Sequence, residues 1–344
     1  MPKSLAPLEV LILEQIARPG ALAHDDDAFN TLALKLHRHQ RERNLPYRRF
    51  CETLGGGEPE HWRQIPAVPT GAFRHAALRT FTPEQTLATF RTSGTTGEGF
   101  GEHHFATLAL YEASILGGWQ ALGVPALPQL ILVPSPAAAP HSSLSHMMGV
   151  LGRTGARQTW GLTPEGRLDL PTIEAAAAQG PLLVLGTALA FLNLFEALGS
   201  RRLPLAAGSV AMETGGYKGS GRSLTKEALY TRFGESLGLA PEAILNEYSM
   251  TELSSQWYTR GLGAPHEGPP WTRAVVIDPA SGREVAPGET GVVRLYDLAN
   301  TGSVLAIGTQ DLAVRTETGF LLLGRDPNAL PRGCSRASDE QLRQ

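Results

Sequence analysis

Arg91-Thr92-Ser93-Gly94-Thr95-Thr96-Gly97 is the stretch from which the rest of this chain can be read. Four hydroxyl side chains are interleaved with two glycines. Glycine lets backbone N–H groups come close to an anion, and Ser and Thr add donors for phosphate oxygens. The stretch lacks the Gly-Lys-Ser/Thr of the lysine-bearing phosphate loop. It continues as Glu98-Gly99-Phe100-Gly101-Glu102-His103-His104, again without lysine. His103 or His104 could donate to phosphate instead; the alternative is two surface turn histidines. Standing alone, the stretch also reads as an ordinary polar turn.

Working outward, short apolar runs alternate with helix-like segments from about residue 90 onward. Leu130–Val133 and Leu182–Leu185 read as buried strands, and residues 105–121 and 188–198 as helices. This alternation predicts a layered α/β domain. Before it, Leu8–Ile16 and Phe29–Leu36 carry apolar residues at helical spacing. Asp25, Asp26 and Asp27 read as a solvated helix start rather than a metal site. Ile65-Pro66-Ala67-Val68-Pro69 must be extended, because proline blocks a helix there. Beyond about 270, Ala274–Ile277, Gly291–Tyr296, Leu312–Arg315 and Phe320–Leu323 are β-type runs separated by turns. The tail after Gly333 is polar and reads as loosely held.

The 344 residues are 42% hydrophobic, enough for a large core. A net charge of -3 leaves no basic surplus for a nucleic-acid backbone. Two distant cysteines, Cys51 and Cys334, are no disulfide framework and suit a reducing compartment. No signal peptide is read, and no run approaches the roughly 18 apolar residues of a membrane span. A cytoplasmic protein is expected.

Three further clusters carry candidate chemistry. In Asn246-Glu247-Tyr248-Ser249-Met250-Thr251-Glu252, an aromatic ring could stack on a base. Thr251 could bond a phosphate there, and Glu252 could hold Mg²⁺ by a carboxylate oxygen. In Gly308-Thr309-Gln310-Asp311, a carboxylate at a turn could accept from ribose hydroxyls. Gly324-Arg325 offers a turn arginine for phosphate. Each has a bland reading as a strand end or a surface turn. His141 and His146 lack a third ligand at a useful spacing. Core packing is the default for Trp119, Met147 and Met148.

Taken in order, these clusters resemble the motifs of the adenylate-forming superfamily: acyl-CoA ligases, luciferases and peptide-synthetase adenylation domains. Ser93–Gly97 looks like the phosphate loop. Tyr248–Glu252 resembles Tyr-Gly-Met-Thr-Glu, with Ser249 in place of glycine. Asp311 sits where the ribose-binding aspartate falls, and Gly324-Arg325 matches the hinge-proximal Gly-Arg. Thr214-Gly215-Gly216 resembles the segment lining the adenine and acyl pocket. Trp62–Phe73, Ser142-Ser143-Leu144, Gly215–Arg222 and Pro331-Arg332-Gly333-Cys334-Ser335 narrow the likeness to LuxE-type acyl-protein synthetases, related to phenylacetate-CoA ligase-like adenylases.

The resemblance implies the large N-terminal domain of that superfamily, a layered α/β/α fold with a β-rich subdomain near its end. Its parts would be a helical region 1–90, a nucleotide and acyl core 91–270, a β-rich subdomain 271–326 and a tail 327–344. It implies ATP-dependent activation of a carboxylic, typically fatty, acid with Mg²⁺, then transfer to a protein thiol. An acyl-reductase or acyl-carrier protein would be the partner. Cofactor contacts fall on Thr92, Ser93, Gly94, Thr95, Thr96, Gly97, His104, Gly215, Gly216, Tyr248, Thr251 and Asp311, and the metal on Glu252. Arg325, Lys218 and Cys334 would act in catalysis. Cys334 is flanked by Arg332 and Arg336, which favour a thiolate; Cys51, beside Phe50, reads as buried and inert. The lid domain that supplies a lysine in larger members is not seen, and no lysine follows Lys226. Two other readings stay open: an adenylase of aryl or small biosynthetic acids, and a nucleotide-binding subunit without turnover.

Overall fold

The computed structural model describes residues 5–18, 20, 22–23, 25–55, 57–92, 99–154, 157–215 and 224–325. The chain divides into two compact units. The first is Met1–Leu122, Ser249–Gln256 and Pro265–Gln344, and the second is Gly123–Tyr248 and Trp257–Ala264.

In the first unit, Pro7 opens α1 (Pro7–Ile16), where the missing N–H of proline costs nothing. The Glu9 carboxylate reaches back to the Ala6 N–H at 2.8 Å. Asp25 starts α2 (Asp26–Arg43) by accepting from the Ala28 N–H at 2.8 Å. The triple aspartate is therefore a helix cap and first turn. Phe29, Leu32, Ala33, Leu36, His37 and Gln40 form the buried stripe of α2, at helical spacing. Asn44 then caps α3 (Leu45–Thr53), which buries Tyr47, Phe50 and Cys51.

Next come β1 (Val68–Pro69), β2 (Ala88–Arg91), β3 (Glu102–Phe105) and α4 (Ala109–Ala121). After the excursion through the second unit, the chain resumes with β10 (Thr272–Ile277), β11 (Thr290–Asp297), β12 (Ala306–Arg315) and β13 (Phe320–Arg325). These four form one sheet with β1, in the order β1-β12-β11-β10, with β13 on β12. Phe29, Leu36 and Trp62 pack with Trp271, Val275 and Tyr296 in its core. Each such side chain contributes about 1.5–3 kcal/mol on burial.

Gly319 precedes β13 where the chain passes the His266 backbone. A Cβ there would lie 2.0 Å from the His266 carbonyl oxygen. Gly319→Ala is expected to lower stability by about 2 kcal/mol or more, because backbone has to yield. A urea midpoint unchanged from wild type would refute this.

The second unit builds β4 (Gln129–Ile131), α5 (Ser143–Leu151), β5 (Gln158–Trp160), α6 (Leu170–Ala177), β6 (Leu183–Thr187), α7 (Ala188–Leu198), β7 (Val210–Thr214), α8 (Lys226–Leu237), β8 (Ile244–Tyr248) and β9 (Trp257–Arg260). The sheet order is β5-β4-β6-β7-β8-β9, parallel except for the last pair. Strand and helix alternate because apolar runs such as Leu183–Leu185 in β6 and Val210–Met212 in β7 are joined by capped helices. Asp169, Thr187 and Thr225 cap α6, α7 and α8 through their side-chain oxygens. Gly238, at φ 70°, closes α8 in the left-handed conformation that only glycine adopts without strain. Phe191, Phe195 and Phe233 fill the core beside this sheet. Its strand order is the doubly wound one, in which ligands bind beyond the carboxyl ends of the strands.

Most sequence-based elements appear with shifted ends. The helix expected at 105–121 begins at Ala109, since Phe105 still pairs in β3. Ser142 caps α5 by accepting from the Ser145 N–H at 3.1 Å. Trp119, Met147 and Met148 are buried, in keeping with core packing. Among the described residues no helix is long and apolar enough to cross a membrane.

Candidate functional site

β2 and β3 form an antiparallel ribbon that pairs Arg91 with Glu102, Phe90 with His103 and Thr89 with His104. Beyond it, the Thr92 N–H donates to the Gly101 carbonyl at 2.9 Å, and the Gly101 N–H donates to Thr92 Oγ1 at 2.9 Å. The Thr92 hydroxyl thus ties positions 92 and 101 together at the end of the ribbon. A Cβ on Gly101 would sit 3.1 Å from Thr92 Cγ2 and 3.3 Å from Phe73 Cβ, so bulk there would press on Thr92 and Phe73. Ser93, Gly94, Thr95, Thr96 and Gly97 themselves lie outside the described residues, as do Gly216, Lys218 and Cys334.

Neighbouring strand residues face opposite ways, which separates the two histidines. His103 Nδ1 donates to the Thr251 carbonyl at 2.8 Å, and its ring packs 4.1 Å from that of Phe105. His104 faces the other way, with Nδ1 at 3.1 Å from Thr89 Oγ1 and Nε2 at 3.7 Å from a Glu102 oxygen. Neither is a surface turn histidine. Both are buried on a strand, because the ribbon continues through Phe105. With both ring nitrogens facing Thr89 and Glu102, His104 is not carried into the proposed site.

Burial pushes the His103 imidazole down to about 4. This group is held neutral, so it stabilises the fold above its unfolded value near 6.5. That contribution is lost as the pH falls from about 6.5 to 4. His103→Asn is therefore expected to remove about 3 kcal/mol of the wild type's acid sensitivity over this window. Urea unfolding of both proteins at several pH values checks it; parallel profiles would refute it.

Thr251 lies on the segment Ser249–Gln256, and its hydroxyl also approaches the Arg91 carbonyl at 3.4 Å. Two motifs some 150 residues apart in sequence are thereby joined within one unit. The next residue is held too, because Asn300 Nδ2 donates to the Glu252 carbonyl at 2.9 Å. Asn300 Oδ1 accepts from Ser254 Oγ at 2.7 Å. Asp297 accepts from the Ser254 N–H at 2.9 Å, from Ser255 Oγ at 2.7 Å and from the Ala299 N–H at 3.0 Å. Trp271 Nε1 donates to Ser114 and Ser255 from the far side. Burial pushes the Asp297 carboxyl up to about 6.

Asp311 and Arg325 are corrected from turn to strand residues. They stand opposite each other in the β12–β13 pair, where a register shift separates Leu312 from Ala313. The Asp311 N–H donates to Thr309 Oγ1 at 3.1 Å. Arg325 is exposed and Asp311 half-buried, so one strand pair offers a carboxylate and a guanidinium side by side.

In the second unit Thr187 and Thr214 end β6 and β7 in register, and Thr214 pairs with Glu247 on β8. Tyr248 is the buried last residue of β8, and exposed Gly215 follows β7. Thr214, Gly215 and Tyr248 thus cluster at the carboxyl edge of the parallel sheet, the ligand-binding edge of such folds.

No family profile and no characterised protein matches this sequence. Solved structures do resemble it. An open conformation of 2-hydroxyisobutyryl-CoA ligase in complex with 2-HIB-AMP and CoA superposes with a TM-score of 0.69 at 15% identity, over 90% of this chain and 76% of that one. ATP-bound MatB from Rhodopseudomonas palustris gives 0.51 at 16% identity, over 72% and 49%. McyG A-PCP with phenylalanyl-adenylate gives 0.52 at 15% identity, over 72% and 48%. The chain has the fold of the large N-terminal domain of adenylate-forming enzymes. It spans about half the length of the MatB and McyG chains.

Within this fold, sequence reading missed the anchors. His103, Asp297 and Asn300 hold the Thr251-Glu252 turn from behind, and only the polar ends of Asp297-Leu298-Ala299-Asn300 after a β-type run hinted at them. Cys51 is buried, and burial pushes its thiol up to about 11, well above a reactive range.

Proposed function

We propose that this protein activates a carboxylic acid with ATP, forming an acyl-adenylate and releasing pyrophosphate. The reading rests on one observation: the Thr251 backbone and hydroxyl are bonded to the two strands that flank the 93–97 loop. In the sequence resemblance, those two motifs are the ones that serve the phosphates. The likeness in fold to acid-activating ligases supports it.

Ser93, Gly94, Thr95, Thr96 and Gly97 hold the phosphates, with Thr92 bracing the loop. Thr251 adds a hydroxyl, Asp311 accepts from the ribose, and Gly215, Gly216 and Tyr248 form the base and acyl wall. Arg325 and Lys218 stabilise charge on the α-phosphate as the carboxylate oxygen attacks it. The nucleophile is already ionised at neutral pH, so the residues act by positioning and charge neutralisation.

Among the described residues no group of three or more His, Cys, Asp or Glu could hold a metal ion. One carboxylate, Glu252, still fits Mg²⁺, which commonly binds through one or two carboxylates plus substrate phosphates. When bound, Mg²⁺ would neutralise charge on those phosphates.

For the second step, the acyl group passes to a thiolate with loss of AMP. Cys334 is the proposed acceptor, and a fatty acid the proposed substrate, both on the sequence resemblance. A small acid is the second reading, favoured by the extent of the likeness to 2-hydroxyisobutyryl-CoA ligase.

ATP–pyrophosphate exchange over a panel of acids tests the proposal. Acid-dependent exchange is expected, and its chain-length profile chooses between fatty and small acids. No exchange with any acid would overturn the enzyme reading in favour of a nucleotide-binding subunit.

A further inference from the structure

Lys226 is the first residue of α8, an end at which the helix dipole disfavours a cation. Its ammonium is nevertheless largely withdrawn from water and sits 2.5 Å from Asn246 Oδ1. The other end of that amide, Asn246 Nδ2, donates to the Glu213 carbonyl at 3.2 Å. Ammonium can only donate and a carbonyl can only accept, so these two contacts dictate which way the Asn246 amide points.

The group lies between the second unit's sheet and α8. Glu213 follows Ala211 on the same face of β7, and Asn246 follows Ile244 on the same face of β8. Ala211 and Ile244 both pack in the core that α8 covers. Glu213 is 1% exposed and Asn246 3%. Lys226 and Tyr230 face Glu213 from α8, Asn246 faces it from β8, and β6 presents only Gly186 at that register. Glu227 acts on Lys226 from the same helix. Burial raises the Glu213 carboxyl to about 7 and lowers the Lys226 ammonium. The Tyr230 hydroxyl faces the Glu213 carboxyl, lowering its pKa while its own is raised, first by burial and then by Glu213.

A buried cluster of charged and polar groups of this kind stabilises a fold no better than well-packed apolar residues do. Its place at the ligand-binding edge, two residues before Tyr248, offers another reason for it. We infer that Lys226 is a positioning residue for the acid-activating site, orienting the Asn246 side chain and with it the strand end that carries Tyr248. This rests on the acid-activating reading above.

The test compares the full-length wild type with Lys226→Met, Glu213→Gln and the double variant Glu213→Leu/Lys226→Met. Three readouts are taken: side-chain amide resonances of Asn246, exchange kinetics with the best acid, and urea midpoints. Lys226→Met should shift the Asn246 amide pair and lower exchange kcat/KM about tenfold or more. Glu213→Gln should keep the exchange rate near that of wild type and flatten its pH dependence around neutrality. The double variant should recover the urea midpoint but not the exchange. If it recovers both, or if Lys226→Met leaves resonances and kinetics unchanged while the wild type is active, Lys226 is structural only and the inference falls alone. A wild type without exchange overturns the acid-activating reading and this inference together.

Discussion

Asp297→Ala is expected to cost the first unit about 3–5 kcal/mol, the largest stability loss foreseen for one substitution here. The carboxylate accepts from the Ser254 and Ala299 N–H groups and from Ser255 Oγ, all buried. Its removal strands three donors in a place water does not reach, and a buried donor without a partner costs about 1–3 kcal/mol. Asp297→Asn keeps the volume but turns an amide NH₂ toward donors, so an intermediate loss is expected. The sign of the pH effect follows from burial. The folded pKa, about 6, lies above the ordinary 3.8, so the native state binds a proton the unfolded chain has released. The Asp297 contribution to wild-type stability therefore falls as pH rises from about 3.8 to 6, opposite in sign to that of His103, and the gap to Asp297→Asn narrows over that window. Urea titrations between these limits read both effects. A loss below about 1 kcal/mol for Asp297→Ala would show that the network relaxes around the gap.

Glu252→Gln is expected to lower acid-dependent exchange about 100-fold while leaving the urea midpoint near that of wild type. The backbone at this position is held by Asn300, through its 2.9 Å bond to the Glu252 carbonyl. Glutamine keeps the shape and that backbone contact, and loses the charge that would hold Mg²⁺. Added Mg²⁺ should recover part of the rate, because the defect lies in metal affinity rather than in folding. Unaltered exchange at limiting Mg²⁺ would remove Glu252 from the proposed metal site. The Asp297 and Glu252 predictions are separable: the first acts on the support of the turn, the second on its chemistry.

The apolar runs at 130–133, 182–185 and beyond 270 sufficed to predict a layered α/β chain with a β-rich end, because strand and helix periods are local properties of sequence. The ordered motifs from Ser93 to Arg325 sufficed to name the fold later matched by solved structures. Local reading failed where a residue's role is set by its cross-strand neighbour. Asp311 and Arg325 sit among turn-forming residues, yet the long β12 strand carries one opposite the other. His103 and His104 are indistinguishable as a pair in sequence; one residue of strand alternation places only His103 against Thr251. Asp297, Asn300, Glu213 and Lys226 show no motif at all. Their partners lie tens of residues away, and desolvation, which alone makes such polar groups consequential, exists only once the core has closed around them. Sequence therefore determined the motifs, their order and the elements that carry them, while the tertiary structure decided which polar groups are buried together and so hold the Thr251-Glu252 turn in place.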